Sequence, residues 1–317
     1  MPKRRSVSRK VLHQSAAEAT RSVGHGVERL DASERPAASK LAPGLYVTAT
    51  PIGNLGDASE RMRSTLAAVD RILCEDTRVT GAMLARFGIA TPMLPYHDHN
   101  AARVRPQVLD MLHRGERVAL VSDAGTPLIS DPGYHLVRAV RAAGHRVFTV
   151  PGPSAIIAAL AIAGLPTDRF LFAGFLPSKA EARRSTLTEL RSVPATLVFF
   201  EAPGRLAASV QAMAEVFGRR EASICRELTK LFEEVRHGTL DDLATSLRGA
   251  DAPRGEIVVV IGPPEETPVS DAAVDTLLRE AMVTVSLREA VDRVTAATGR
   301  TRKVVYAAAL ALRRDDG

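Results

Sequence analysis

Four loops concentrate the residue types that binding and catalysis need. Glu75-Asp76-Thr77-Arg78 sets two carboxylates and a guanidinium just after the apolar run Ile72 to Cys74. There Asp76 or Glu75 can accept a proton beside the fixed cation Arg78. The same residues equally fit a cap, paired internally, for a helix beginning near Thr80. The second loop, SDAGTPLISDPG from Ser122 to Gly133, follows the apolar run Val118 to Val121 and precedes a helix-like segment starting near Tyr134. Its small and rigid residues let a ligand approach the backbone at a strand's carboxyl end. It carries neither the Lys of a phosphate-binding loop nor a G-x-G-x-x-G fingerprint, so whatever binds there is gripped differently. Thr50-Pro51-Ile52-Gly53-Asn54-Leu55 and Pro151-Gly152-Pro153-Ser154-Ala155 complete the set. In a parallel sheet all four loops lie along one edge and line a single pocket. His97-Asp98-His99-Asn100 brings two imidazoles close in sequence, but no third or fourth ligand is identifiable. It reads as a polar loop shaping the cleft, and no metal is expected.

The elements that must position these loops alternate. Strand-like and helix-like runs pair as Leu45 to Ala49 with Arg61 to Val69, Ile72 to Cys74 with Thr80 to Phe87, Val118 to Val121 with Tyr134 to Ala143, and Val147 to Val150 with Ser154 to Ala163. This βαβα pattern predicts a largely parallel sheet covered by helices. A second series has strands at Phe170 to Phe175, Thr196 to Phe200, Ala222 to Arg226, Leu231 to Val235 and Glu256 to Ile261, with helices at Lys179 to Leu190 and Arg205 to Val216. The fold class expected is α/β, with two lobes over residues 43–164 and 165–264 and a cleft between them. The Pro- and Glu-rich stretch from Gly262 to Pro268 reads as a linker. Three helix-like stretches follow over 270–317. The second opens with Ser286-Leu287-Arg288-Glu289, a capping box, and Gly299 can terminate it. They resemble a helix-turn-helix or a plain helical hairpin.

With 317 residues, 45% of them hydrophobic and 25% charged, the chain can bury a sizeable core. No apolar stretch approaches the ~20 residues that span a bilayer, and the basic N-terminus lacks the apolar segment of a secretory signal, so cytoplasmic residence is expected. The two cysteines, Cys74 and Cys225, each adjoin an apolar run and read as buried thiols. Residues 1–40 hold nine Lys/Arg and four Asp/Glu, so they carry +5 of the net +6. Residues 1–42 lack periodic patterning and read as a flexible basic extension. Arg288, Arg293, Arg300, Arg302, Lys303, Arg313 and Arg314 form a second basic cluster. Basic ends on a nearly neutral body suit a nucleic-acid partner, and also suit plain solvated surface.

The stretches TPIGNL, EDTR, SDAGTPLISDPGY, PGPSA, FLPSK and RELTK, in this order and spacing, closely resemble the RsmI family of ribosomal RNA small subunit methyltransferases I, within the tetrapyrrole-methylase-like S-adenosylmethionine enzymes. The resemblance covers about Leu45 to Ile261 and extends more loosely through the C-terminal helices. It implies two α/β lobes of that type and 2'-O-methylation of a decoding-centre cytidine in 16S rRNA, within the small ribosomal subunit, by a homodimer. Two departures are the extension before Gly44 and Pro203-Gly204-Arg205, where relatives more often have Ser/Thr-His-Arg.

By that resemblance, Pro51, Asp123, Ala124, Gly125, Thr126, Ile129, Ser154 and Ala155 contact S-adenosylmethionine from the first lobe, and Glu201, Leu228 and Glu256 from the second. Backbone-lined loops suit such a ligand, and methyl transfer requires no metal. A ribose hydroxyl needs a proton acceptor or a stabilising cation, so Glu75, Asp76 and Arg78 are catalytic candidates, with Glu227 and Lys230 of RELTK opposite. Lys179, Arg183, Arg184, Arg205, Arg302 and Lys303 are candidate RNA contacts. Few aromatics are on hand to stack a base: the chain has no Trp and four Tyr. Tyr96, Phe199 and Phe200 are possible stackers, although the two Phe sit in an apolar strand and fit the core better. A tetrapyrrole C-methyltransferase on the same fold, and a ribosome-associated RNA-binding protein without catalysis, are the alternatives.

Overall fold

Five short apolar runs form a parallel sheet: β1 (Gly44–Thr48), β2 (Arg71–Cys74), β3 (Met93–Pro95), β4 (Arg117–Leu120) and β5 (Val147–Val150). Their order is β3-β2-β4-β1-β5, with Leu45 level with Val118 on one side and Val147 on the other. The computed structural model describes residues 41–131, 133–264 and 270–315. Nearly all of the basic extension expected over 1–42, and residues 265–269 of the linker, lie outside them. A parallel sheet is covered on both faces, and Leu45, Ile72, Leu73, Val118 and Ala119 are fully buried accordingly. The covering helices are α1 (Glu60–Ala68), α2 (Thr77–Arg86), α3 (Ala101–His113), α4 (Tyr134–Ala142) and α5 (Ala155–Ile162). β3 and α3 were not anticipated from the sequence. Val104, Val108, Met111 and Leu112 of α3 nonetheless join Leu45, Leu73 and Leu120 in the core.

The second sheet contains β6 (Phe170–Phe175), β7 (Thr196–Glu201), β8 (Glu221–Arg226), β9 (Glu234–Thr239) and β10 (Ile257–Ile261), in the order β6-β7-β10-β8-β9. Only β6 and β7 pair in parallel; the other three pairings are antiparallel. Helices α6 (Ala180–Leu190), α7 (Leu206–Phe217) and α8 (Leu240–Leu247) pack on it. The strand expected at Leu231 to Val235 starts three residues later. Leu231 and Phe232 sit at an exposed turn instead, 89% and 65% accessible. Their apolar character therefore marks a loop tip here, not a buried strand.

Helix α5 joins the two sheets into one body. Its residues Ile156, Ala159 and Leu160, with Ala163 beyond its end, pack with Val198, Cys225, Val258 and Val260 of the second sheet. A helix apolar on nearly every side suits a place between two layers. Cys74 and Cys225 are both buried free thiols, and burial pushes the Cys225 thiol up to about 11.

After the linker come α9 (Asp271–Thr284), α10 (Leu287–Thr298) and α11 (Arg302–Asp315), with a core of their own around Leu278, Val291, Val294, Val305 and Ala309. Ser286 caps α10 by accepting from the Glu289 N–H, and Gly299 ends it in the left-handed conformation, φ 67°. Among the described residues no helix is long and apolar enough to cross a membrane.

Candidate functional site

Because β4, β1 and β5 are neighbours, the loops leaving their carboxyl ends converge. The backbones of Thr50 and Gly125 exchange two hydrogen bonds, 2.8 and 3.1 Å, and the buried Thr50 hydroxyl donates to the Ser122 carbonyl at 3.2 Å. Thr126 Oγ1 donates to the Pro153 carbonyl at 3.2 Å, tying in the loop after β5. Together these loops form one wall of a cavity of about 340 Å³. Ile52, the residues from Ala124 to Thr126, those from Ile129 to Asp131, and Ser154 to Ile156 line this wall. The opposite wall is Phe175, Phe200 to Pro203, Leu228 and Gly255 to Val258 of the second lobe.

Nine of the eleven residues expected around a cofactor line this cavity: Ala124, Gly125, Thr126, Ile129, Ser154, Ala155, Glu201, Leu228 and Glu256. Pro51 and Asp123 line an adjoining shallower cleft, shared with Lys230, Arg86 and Glu256. Sequence reasoning missed Asp131 and Phe175 as cavity residues and weighed Phe200 only as a possible stacker that fits the core better. Phe199, one place from Phe200, is fully buried in the core, and so is Tyr96, which is therefore no stacking surface. The alternation of a strand decides between Phe199 and Phe200.

Backbone strain marks both walls. Among the described residues the non-glycine positions with positive φ are Leu128 (75°), Ser130 (64°), Glu227 (51°) and Thr229 (66°), two in each facing loop. Such conformations cost of order 1–3 kcal/mol each and cluster where a ligand is held.

The charged residues lining the cavity are Asp131, Glu201 and Glu256, and among the described residues no Lys, Arg or His lines it. The Glu201 carboxylate is fully buried and already engaged. It accepts from the Ser209 hydroxyl and from the Ala202 N–H (2.8 Å), and pairs with Arg205 Nε at 3.1 Å. Arg205 also donates to the Leu176 carbonyl, so part of its guanidinium is engaged within the lobe while the side chain stays about a third exposed. Lys230 Nζ bridges Glu227 (2.7 Å) and Glu256 (3.1 Å), and Glu227 also accepts from the Glu256 N–H at 3.0 Å. The Lys230 stem lies so close to Gly53 that a Cβ there would fall 2.4 Å from its Cγ. Lys230 thus ties the two walls together.

The Glu75 to Arg78 loop does not line the cavity. It follows β2, on the far side of β4 from β1 and β5. Asp76 caps α2 by accepting from the Arg78 N–H at 2.8 Å and pairs with the Arg78 guanidinium at 2.6 Å. That hydrogen bond and the backbone N–H hold its carboxyl at about 2, which makes it a weak proton acceptor. Of the two roles the sequence leaves open for Asp76 and Arg78, the cap is the one this geometry realises. Asp131 is the opposite case. Burial first, then the Glu75 and Asp123 charges, raise it to about 6, with the Ser122 hydroxyl drawing it partly back. Burial and the same acidic neighbours also raise Glu75. His97 to Asn100 forms a turn, closed by Asn100 Oδ1 accepting from the His97 N–H. Among the described residues no group of three or more His, Cys, Asp or Glu is placed to hold a metal.

The candidate RNA contacts occupy three places. Lys179 and Arg184 are exposed at the start of α6, whereas Arg183 folds back on the Ser178 carbonyl. Arg205 is half-buried and paired with Glu201. Arg302 pairs with Asp292 at 2.7 Å on the C-terminal helices, and the exposed Arg288 and Lys303 are in no ion pair among the described residues.

Comparison with known proteins matches this architecture. A family model for tetrapyrrole (corrin/porphyrin) methylases matches residues 44–244, and one for the RsmI C-terminal HTH domain matches residues 268–313. The ribosomal RNA small subunit methyltransferase I of Mesorhizobium japonicum is 49% identical over 88% of this chain and 96% of its own length. The protein of the same name from Pseudomonas aeruginosa is 44% identical over 84% and 96%. Among solved structures, diphthine synthase superposes with a TM-score of 0.55 at 15% identity, covering 69% of this chain and 89% of its own. Uroporphyrin-III-C-methyltransferase from Thermus thermophilus gives 0.51 at 20%, covering 69% and 94%. These two share the fold. Conserved identity along nearly the whole of its relatives places the chain in the ribosomal RNA small subunit methyltransferase I family of the tetrapyrrole methylases.

Proposed function

We propose that this protein transfers a methyl group from S-adenosylmethionine to the ribose 2'-hydroxyl of a decoding-centre cytidine in 16S rRNA. The observation that carries it is the cavity between the lobes: about 340 Å³, lined by small and apolar residues, with no Lys, Arg or His among the described residues of its walls. Glu201 is neutralised by Arg205 and Glu256 by Lys230; without a cation in its lining the site gives a phosphate no grip, and its small and apolar lining accepts a nucleoside and a thioether. S-adenosylmethionine fits on both counts, with no phosphate, its adenosine, and an electrophilic methyl that leaves behind a neutral thioether. The small residues from Ala124 to Thr126 and from Ser154 to Ala155 allow close backbone approach, and Ile129 and Leu228 supply apolar contact.

The substrate assignment rests on the family and on the three C-terminal helices, whose own core lets them work as a separate RNA-reading unit. Lys179, Arg184, Arg288, Arg302 and Lys303 are the cations placed to meet phosphates. A tetrapyrrole ring has no use for that unit. The small ribosomal subunit as partner places the work in the cytoplasm. A homodimer is supported by apolar residues left exposed on α5 and β6: Ile157, Ile162, Phe170 and Leu171.

Calorimetric titration tests the first step. Uptake of one S-adenosylmethionine per chain is expected, and uptake should weaken when Gly125 is replaced by Val. Absence of binding, even with small ribosomal subunits present, removes the enzymatic assignment.

A further inference from the structure

Two side chains at the cavity are used neither in the folding of its walls nor in the fit to the methyl donor. Phe175 is 55% exposed although it lines the cavity. It is held from behind, edge-on to Phe200 with ring centroids 5.6 Å apart, and Phe200 in turn meets Phe172 at 4.8 Å. A phenyl ring braced by one neighbouring ring, yet more than half exposed, is a platform for a further ring. Asp131 is the second. Its neighbour Ser130 comes close to the Phe175 side of the cleft: a Cβ at Gly174 would lie 4.0 Å from the Ser130 hydroxyl. Backbone on both sides is in the left-handed region, Ser130 at φ 64° and Gly174 at φ 67°.

We propose that Phe175 and Asp131 form the acceptor-nucleotide subsite, Phe175 stacking the target base and Asp131 taking the proton of the attacking ribose hydroxyl. The proposal rests on the methyltransferase function set out above. The hydroxyl oxygen forms its bond to the methyl carbon as the carbon–sulfur bond breaks, with that electron pair staying on sulfur. The O–H proton passes to a carboxylate oxygen of Asp131, leaving a methyl ether, a neutral thioether and a protonated Asp131 that solvent later discharges. Balance needs no further reactant.

The surroundings suit the role. Glu75 at the end of β2 and Asp123 in the loop after β4 face Asp131 with like charge, and Ser122 is its polar neighbour. Glu75 itself stands near Asp98 and His97. Gly174 and Phe175 bring no charge from the other lobe. Near pH 7 Asp131 is ionised, and it is more basic than an ordinary carboxylate. The other cavity carboxylates are committed, Glu201 to Arg205 and Ser209, and Glu256 to Lys230.

The test uses the full-length protein, S-adenosylmethionine and small ribosomal subunits from a strain lacking this methylation. D131N should lower kcat by about a hundredfold or more, with S-adenosylmethionine affinity unchanged within twofold. F175A should raise KM for the subunits by roughly tenfold, the loss of one base stack, and F175Y should restore it. In wild type kcat/KM should fall below pH 6, and E75Q should move that limb to lower pH. Carbon-detected NMR of the free protein should show the Asp131 carboxyl titrating near 6, again lower in E75Q. D131N retaining more than a tenth of wild-type turnover, an acid limb unmoved by E75Q, or an unchanged KM in F175A overturns the subsite alone. A wild-type protein that methylates nothing overturns the methyltransferase function, and the subsite with it.

Discussion

Replacing Gly133 by Ala probes how the cavity loop is held. Gly133 ends the Ser122 to Gly133 loop and opens α4 with φ at 137°, a conformation that side chains rarely adopt. A Cβ there would lie 2.8 Å from Leu120 Cδ2 and 3.2 Å from Leu128 Cγ and Cδ1. Leu120 ends β4 at 2% exposure and cannot retreat, and Leu128 is itself strained. The backbone contribution is ~1–2 kcal/mol, and overpacking adds ~1–3 kcal/mol. Gly144→Ala is the control, because Gly144 also has positive φ, 80°, with nothing within 4 Å of a Cβ. The difference between the two variants isolates the steric part, ~1–3 kcal/mol. Urea unfolding measures it directly, and thermal melting should show ~2–4 °C per kcal/mol for a chain of this size. S-adenosylmethionine affinity should drop in Gly133→Ala only, because Leu128 is pushed along with its loop. Equal stability in the two variants, with affinity unchanged in both, would refute the assignment of Gly133 as the loop's anchor.

Three further outcomes are expected. Arg205→Ala leaves the Glu201 carboxylate buried without its cation, and urea unfolding should register a loss of about 3 kcal/mol, partly recovered when Glu201→Gln is added. Asp131→Asn should stabilise the protein at pH 8 but not at pH 4. An acid whose folded value, about 6, lies above its unfolded 3.8 binds its proton more tightly when folded. Stability is therefore lost as pH rises through that window, and the Asn variant escapes the loss; equal urea midpoints for wild type and variant at pH 8 would contradict this. Deleting residues 270–317 should weaken binding to the small ribosomal subunit, measured by sedimentation, while leaving S-adenosylmethionine titration unaltered, because those helices carry a separate core.

Much of the scaffold was legible in the sequence because parallel strands buried on both faces must be apolar throughout. Runs such as Val118 to Val121 and Val147 to Val150 stand out for that reason. β3 escaped notice because Met93–Pro95 is a three-residue edge strand ending in Pro, and α3 because Pro106 interrupts its helical pattern. Leu231 and Phe232 misled by being apolar yet exposed. The loops lining the cavity were readable from Gly, Pro and Ser at strand ends, but which loops share a cavity depends on strand order. The position of β2 beyond β4 removes the Glu75 to Arg78 loop from it. Asp131 and Phe175 could not be found by pattern. One gains its character from burial beside Glu75 and Asp123, and the other from the face it leaves open, and both are properties of packing.

Mapping ribose 2'-O-methylation along small-subunit rRNA, in cells with and without this protein, tests the central claim most directly. The account predicts that one decoding-centre cytidine loses its methyl group in the deletion strain and regains it when the wild-type chain is restored, but not when the chain carries D131N. An identical methylation map with and without the protein would contradict it.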